Sequence, residues 1–222
     1  LPARRARRRR ARTRGAPEAL IPMPHARKHA LFTAAVLAAL LSAAPAQAYV
    51  GPGAGFAVVG QSAKVSPEAF RGVLDVHVTG SFLCARAAAR RMTGGGKIIN
   101  IGSMYSQFGS PVAGSYAAAK AGILGLTRSL AVEFAASNIQ VNAILPGWFE
   151  TDSTRPLFAT PLGGRILALT PAGRYGQGRE VAAAAVFLAS DAASFITGAA
   201  LPVDGGYSIT GGLTSEDWAP FL

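Results

Sequence analysis

The chain has little cysteine, little histidine and half as many acidic as basic residues, and each shortage excludes a class of protein. The single cysteine, Cys84, cannot form an internal disulfide, so a disulfide-stapled fold is excluded. Its apolar neighbours predict a buried helix residue rather than a reactive thiol. No cluster of histidine and cysteine has the spacing of metal ligands, so no metal site is predicted.

The shortage of acidic residues is confined to the start of the chain. Residues 1–60 hold ten of the 22 lysines and arginines and one acidic residue, Glu18, which gives this quarter a charge of +9. Residues 61–222 hold twelve basic and ten acidic residues, a charge of +2. The nearly neutral body gives no reason to expect a nucleic-acid partner.

Three segments come before this body. Residues 1–22 are an arginine-rich run that cannot bury itself and is predicted to be disordered. Residues 23–48 combine a basic start, a short apolar stretch and the small-x-small site Ala46-Gln-Ala48, which is typical of a signal peptide, although a buried helix would look similar. Residues 49–61 are a glycine-rich linker; Pro52 and the lack of a preceding strand argue against a phosphate-binding loop.

From about residue 62 the sequence alternates between helical and strand patterns. Ser66 followed by Pro67 predicts a helix start, and the apolar run Lys97–Ile101 predicts a buried strand. Strands are predicted at 97–101, 138–144 and 198–203, and helices at 66–92, with or without a break near Gly80, at 114–134 and at 179–190.

The candidate chemistry lies at Ser103, Tyr116 and Lys120. Ser103 follows the first predicted strand, and Tyr116 and Lys120 fall at i and i+4 on one helix face. A cation one turn from a phenol favours the phenolate and would lower the tyrosine pKa, while a nearby hydroxyl can hydrogen-bond a substrate oxygen. A Tyr-x-x-x-Lys pair alone also occurs on ordinary helix surfaces, so the spacing to Ser103 and the downstream segments carry the interpretation.

Around these residues the sequence resembles the short-chain dehydrogenase/reductase family. The resemblance covers about residues 62–209 and includes the strand-end serine, the Tyr-x-x-x-Lys pair, the segment Asn138–Gly147 and Val203-Asp-Gly-Gly206. It corresponds to the C-terminal half of the family's domain. The implied fold class is therefore α/β, a truncated Rossmann-like three-layer sandwich with the last three parallel strands and their helices. Within the family the segments look most like the sugar and sugar-acid dehydrogenases, such as gluconate 5-dehydrogenase, and next like 3-oxoacyl carrier-protein reductases.

The resemblance implies hydride transfer between NAD or NADP and an alcohol or carbonyl substrate of the sugar, sugar-acid or 3-oxoacyl type. Tyr116 would be the acid/base, Lys120 would lower its pKa and hold the nicotinamide ribose, and Ser103 would orient the substrate oxygen. His77 stands where the family usually has asparagine, and it could serve or disable a proton relay. The resemblance further implies cofactor contacts from Pro146, Gly147, Phe149 and Thr151, and substrate contacts from Met104 and, unless it only packs, Trp148.

The family's first four strands and its glycine-rich pyrophosphate loop find no counterpart in the sequence. An alternative hypothesis is therefore an inactive remnant, in which a signal-like leader is fused to the C-terminal half of a reductase. The family is usually cytoplasmic, whereas an acting leader would export the chain or tether it to a membrane. The resemblance also implies a homo-oligomer formed through helices 66–92 and 113–134, and residues 213–222 are predicted to be a tail.

Overall fold

The computed structural model describes residues 65–212, and the segments predicted at 1–22, 23–48, 49–61 and 213–222 lie outside that part. Within it no helix combines the length and hydropathy that crossing a bilayer requires. The helices are α1 (Pro67–Leu74), α2 (Gly80–Ala89), α3 (Gly114–Phe134), α4 (Arg155–Phe158), α5 (Pro161–Ala168) and α6 (Gly178–Ala189), and the strands are β1 (Gly96–Ile101), β2 (Ile139–Pro146) and β3 (Ala200–Val203).

The three strands form one parallel sheet in the order β1-β2-β3. The register pairs Gly96 with Ile139 and Ile101 with Ile144 in the first pair of strands, and Ala143 with Ala200 in the second. Parallel neighbours require crossover connections, which α3 and α6 provide. The prediction of three parallel strands in an α/β fold is confirmed.

Helices cover both faces of the sheet, so the described part has three layers. Alternate residues of β2 point to opposite faces. Val141 packs with Leu130 of α3 on one face, and Ile144 packs with Leu188 of α6 on the other. Because β2 is buried on both sides, its sequence is an almost continuous apolar run.

The long helix predicted at 66–92 is interrupted. Ser66 caps α1 as predicted, because its hydroxyl accepts a hydrogen bond from the Ala69 N–H at 3.2 Å. Residues Asp75–Thr79, between α1 and α2, form a π-helical turn instead of a regular one. Such a turn inserts an extra residue into the helix and is common at functional sites. Here it contains His77, which is the buried residue of the turn.

Cys84 is exposed on α2, so the prediction of a buried cysteine is wrong. The buried side of α2 is occupied by the next residue, Ala85, which is 3% exposed. Successive residues on a helix point about 100° apart, and this rotation carries the Cys84 side chain off the buried face. The apolar neighbours in sequence are partly exposed as well, including Phe82 and Leu83.

A buried amide links β2 to the segment that enters β3. The Asn142 side chain donates a hydrogen bond to the Ile196 carbonyl at 2.8 Å and accepts one from the Ala199 N–H at 3.0 Å. It is 1% exposed, so water cannot replace these partners. The amide therefore fixes the position from which β3 starts.

We expect Asn142→Ala to lower the free energy of unfolding by about 1–3 kcal/mol, because it leaves the partly buried Ile196 carbonyl and Ala199 N–H without their partner. Urea denaturation of the purified chain measures the change. Gln140→Ala on the same strand is the control: its amide bonds only the exposed Asn138 side chain, so the cost should stay within about 0.5 kcal/mol. Equal midpoints for the two variants would contradict the role given to Asn142.

Candidate functional site

The candidate site lies where the three parallel strands end. Ser103 follows β1, Gly147 follows β2 and Asp204 follows β3. In open parallel α/β sheets, ligands bind outside the carboxyl ends of the strands. The structure therefore brings the predicted residues from separate parts of the sequence to one edge of the sheet.

Ser103 is held by a short turn immediately after β1. Its hydroxyl accepts a hydrogen bond from the Tyr105 N–H at 3.2 Å, and its own N–H donates to the Ser106 hydroxyl at 3.1 Å. The Ser106 hydroxyl in turn donates to the Lys120 carbonyl at 2.8 Å. These bonds connect the end of β1 to helix α3 and fix the Ser103 hydroxyl relative to that helix.

Lys120 places a buried ammonium group beside the end of β1. The residue is 6% exposed, and its Nζ donates a hydrogen bond to the Ile101 carbonyl at 3.0 Å. Burial lowers the pKa of Lys120 to about 8, since an ammonium loses hydration when it leaves water. Its Nζ lies 5.4 Å from the centroid of the Tyr116 ring, so the predicted pairing of these two residues on one face of α3 is observed.

The pKa of Tyr116 moves in the direction opposite to the one predicted from sequence. Burial raises the pKa of the Tyr116 phenol, and a side-chain hydrogen bond with Ser103 only partly counteracts the rise. The ring is 7% exposed, so the charged phenolate would lose most of its hydration. Desolvation of the phenolate is therefore the largest influence on this pKa, and the Lys120 ammonium does not produce the predicted fall.

His77 completes the buried cluster. Its ring meets the Tyr116 ring edge-on, with centroids 5.4 Å apart, and the residue is 7% exposed. Burial, and next the charge of Lys120, lower the pKa of His77 to about 4, so the imidazole is neutral at pH 7. Its Nε2 is buried without a hydrogen-bond partner among the described residues. A buried polar atom of this kind is an available position for a ligand or water.

The predicted cofactor residues lie together in the segment that follows β2. Pro146 ends the strand, and Gly147 packs so closely on β3 that an added Cβ would lie 2.5 Å from the Asp204 Cβ. Phe149 packs its ring against the backbone of Gly176. Close packing of β2 against β3 thus requires glycine at position 147, whatever the group that binds there.

Thr151 belongs to a cluster of hydroxyl groups beyond Phe149. Its Oγ1 lies 3.0 Å from the hydroxyls of both Ser153 and Thr154, and its N–H donates to the Thr154 hydroxyl at 3.0 Å. Thr154 also donates to the Phe149 carbonyl at 2.6 Å. The Thr151 hydroxyl is half-buried, at a position where it could exchange one of these partners for a polar ligand group.

Of the two predicted substrate contacts, only Trp148 has surface to offer. Met104 is 3% exposed and packs in the interior of this structure, so its contact with a substrate stays a prediction. Trp148 is half-buried, and its ring lies 6.3 Å from that of Tyr105 and 6.3 Å from that of Tyr207, measured between centroids.

Sequence reasoning missed a set of aromatic side chains that surrounds Trp148. All of them are half-buried. Some lie shortly after the end of a strand, and the others lie on α4 or in the loop before α6. The signal available in the sequence was the recurrence of an aromatic residue within five residues of each predicted strand end. We call this set the aromatic surface: Tyr105, Phe108, Trp148, Phe158, Tyr175 and Tyr207.

The described residues fit one end of a nicotinamide cofactor and not the other. Polar groups suited to a ribose and a carboxamide come from Lys120, Tyr116 and the Thr151 hydroxyl. The Nε2 of His77, which is buried without a hydrogen-bond partner among the described residues, is a fourth polar group of this kind. The pyrophosphate of a dinucleotide needs a glycine-rich turn such as G-x-G-x-x-G, which residues 65–212 do not contain. Nor does this part of the chain hold a cluster of side chains suited to a metal ion.

We expect His77 to make the chain sensitive to acid. Its pKa is about 4 in the folded state against an ordinary value of 6.5, so below pH 6.5 protons bind the unfolded chain preferentially. The free energy of unfolding should therefore fall as the pH drops from 6.5 to 4. His77→Gln should fall less steeply in urea denaturation at several pH values.

The control for this measurement is Tyr116→Phe, which keeps the ring contact and the histidine. It should follow the wild-type pH dependence in shape. An unchanged slope in His77→Gln would show that another group titrates in this range.

Comparison with known proteins identifies the family. The profile of the family described as enoyl-(acyl carrier protein) reductase matches residues 34–208. The chain is 46% identical over 142 residues to cis-4-hydroxycyclohexanecarboxylate dehydrogenase of Sinomonas cyclohexanicum, covering 63% of this chain and 57% of that protein. It is 44% identical over 142 residues to a 3-oxoacyl-[acyl-carrier-protein] reductase of Synechocystis, covering 63% of this chain and 56% of that one.

Solved structures give the same result. Gluconate 5-dehydrogenase from Burkholderia cenocepacia, in complex with NADP and tartrate, superposes with a TM-score of 0.65 at 38% identity, covering 68% of this chain and 60% of that one. The chain thus spans less than two thirds of the length of these proteins. With a family profile matched over residues 34–208 and a parallel α/β sheet, the chain belongs to the short-chain dehydrogenase/reductase family.

Proposed function

We propose that the chain is an NAD(P)-dependent oxidoreductase that interconverts an alcohol and a carbonyl compound, with Tyr116 as the acid/base. The observation that carries the proposal is the buried cluster in which the Lys120 ammonium lies 5.4 Å from the Tyr116 ring and the Ser103 hydroxyl acts to lower the pKa of the phenol. Relatives named as sugar, sugar-acid and 3-oxoacyl oxidoreductases support the substrate types inferred from the sequence.

The proton chemistry follows from the groups that surround Tyr116. Because burial keeps the phenol protonated at neutral pH, Tyr116 can donate its proton to a carbonyl oxygen that gains charge during reduction. The Ser103 hydroxyl, held by the Tyr105 N–H, would orient the same oxygen. Lys120 would stabilise the phenolate left after the transfer.

The nicotinamide cofactor supplies the hydride when it is bound. Lys120 and Tyr116 would hold its ribose, and Pro146, Gly147, Phe149 and Thr151 would hold its nicotinamide end. These residues would contact only the nicotinamide half of the cofactor, so the proposal covers both NAD and NADP, which differ at the adenosine ribose. By the same family resemblance we infer that the reaction takes place in the cytoplasm.

His77 would act as a relay for the proton. Its neutral imidazole carries one donor and one acceptor, as an asparagine side chain also offers. The Nε2 without a partner lies in the same buried cluster as Tyr116, where a water molecule could link it to Lys120. In this role His77 would return a proton to Tyr116 after each reduction.

The direction of the reaction should depend on pH. Raising the pH removes the proton from Tyr116, so reduction should decline and oxidation of the alcohol should increase in the alkaline range. Since burial also lowers the pKa of Lys120 to about 8, the charge that stabilises the phenolate is itself lost above that pH.

We expect Tyr116→Phe to reduce turnover by about 10²–10⁴-fold, the usual contribution of a positioned general acid. The purified full chain is first titrated with NADH and NADPH by calorimetry, and reduction of a carbonyl substrate is then followed by loss of absorbance of the reduced cofactor. Ser129→Ala, which removes an exposed hydroxyl from the same helix, is the control and should keep full activity.

Two results would count against the proposal. Unchanged turnover in Tyr116→Phe would remove this residue from its role. A chain that binds neither cofactor at micromolar concentration would instead support the alternative, an inactive remnant of the family.

We further propose that the chain forms an oligomer through α2 and α3, the helices predicted to pair. Their exposed apolar side chains include Phe82, Leu83 and Val132, the last being 80% exposed. We expect light scattering to show a dimer or larger species, and Leu83→Asp to convert it to a monomer, because a charge cannot be buried there without a partner. Val186→Asp on α6 is the control. A monomeric wild type would contradict this assembly.

A further inference from the structure

The aromatic surface is continuous with the acid/base. The Tyr105 ring lies 6.3 Å from the Tyr116 ring and 6.3 Å from the Trp148 ring, measured between centroids, with both pairs edge to face. The N–H of Tyr105 also holds the Ser103 hydroxyl, so this ring is fixed at the site itself. A substrate whose oxygen reaches Ser103 and Tyr116 would therefore rest its body on these rings.

Four separate segments of the chain supply the rings beyond Tyr105. Trp148 contacts Phe158 of α4 and Tyr207 after β3, each with a centroid distance of 6.3 Å. Phe158 stacks on Tyr175 at 3.6 Å, and the Tyr175 hydroxyl is anchored on the Gly163 carbonyl at 2.8 Å. The rings are half-buried, so they pack on each other while leaving part of each face open. Such a surface suits an apolar body and provides few polar partners.

The charged groups that border the aromatic surface already have partners. The Arg174 guanidinium makes a bidentate pair with Glu180, and both line a cavity of about 70 Å³ beside Trp148 together with Asp204. Glu180 is also close to the charge of Arg179, and the Asp204 carboxylate accepts hydrogen bonds from the N–H groups of Gly206 and Ser208.

The arginine at the start of α4 is paired as well. Arg155 pairs with Asp152 at 2.9 Å and with Glu150 at 3.7 Å. The Lys120 ammonium, in turn, is engaged by the Ile101 carbonyl. A substrate carboxylate placed on the rings would lose hydration, and the guanidinium groups of Arg174 and Arg155 are already paired.

From this arrangement we infer that the site takes an alcohol or ketone with an apolar, uncharged body, which packs on the aromatic surface. The inference rests on the proposed function, because it assigns the substrate class of the same site.

The test compares three probes that differ in charge and shape. The first two, 4-methylcyclohexanol and 4-hydroxycyclohexanecarboxylate, share one ring and differ in a methyl or a carboxylate group, while gluconate is open and charged. Saturation-transfer NMR measures their binding to the purified full chain, with and without NADPH. We expect the neutral ring to bind at least about tenfold more tightly than its carboxylate counterpart, with gluconate weaker still.

Two variants assign the binding to the rings. Trp148→Leu keeps an apolar side chain but removes the central ring, and it should weaken binding of 4-methylcyclohexanol about tenfold or more. Phe195→Ala removes a fully exposed ring at 102% relative exposure and should leave binding unchanged. Circular dichroism confirms that each variant is folded.

The outcomes separate this inference from the proposed function. Three results would overturn the inference. They are equal or tighter binding of either anion, failure of all three probes to bind, and full binding of 4-methylcyclohexanol by folded Trp148→Leu. Turnover of gluconate together with such a result would leave the proposed oxidoreductase intact. Selective binding of the neutral ring without any turnover would support the inference and count against the proposed function.

Discussion

The buried ammonium of Lys120 joins the end of β1 to helix α3, and the other groups of the site depend on where it lies. In the peptide between Ile101 and Gly102, the N–H donates a hydrogen bond to the Ile144 carbonyl of β2. The carbonyl of the same peptide points the opposite way and accepts a hydrogen bond from Lys120. A buried charge is tolerated only when it is hydrogen-bonded, so this contact fixes the rotation and depth of α3. Tyr116, one turn earlier on the helix, is buried as a consequence.

Burial of the whole cluster explains the three pKa shifts together. Desolvation disfavours every charged form, so it raises the pKa of the Tyr116 phenol and lowers the pKa values of Lys120 and His77. At neutral pH the phenol keeps its proton and the imidazole is neutral. The cluster can therefore donate a proton at neutral pH, as the proposed reduction of a carbonyl group would require.

The ends of the parallel strands serve two purposes. They bring Ser103 and the segment after β2 close to Tyr116, and they also collect aromatic rings that are far apart in the sequence. Tyr105 belongs to both groups, since its N–H holds Ser103 and its ring begins the aromatic surface. The proposed acid/base and the proposed substrate surface are therefore connected through one short turn after β1.

Much of this arrangement could be predicted from local patterns. Apolar runs and helical periodicity indicated the three strands and most helices, and the Ser66-Pro67 start was confirmed as a cap. The i and i+4 spacing placed Tyr116 and Lys120 on one face, because helix geometry is a property of neighbouring residues. The motifs around Ser103 also identified the family. These features need only a few consecutive residues to specify them.

Only the tertiary structure decided the environment of those residues. Four features depend on segments that are distant in sequence. They are the direction of the Tyr116 pKa shift, the exposure of Cys84, the π-helical turn at His77 and the convergence of the rings on Trp148. The sequence by itself determined which side chains are present and how they are spaced along each element. How much water each one retains, and which partner replaces that water, is set by packing between elements, and this is why the site's electrostatics and its substrate surface were decided by the fold.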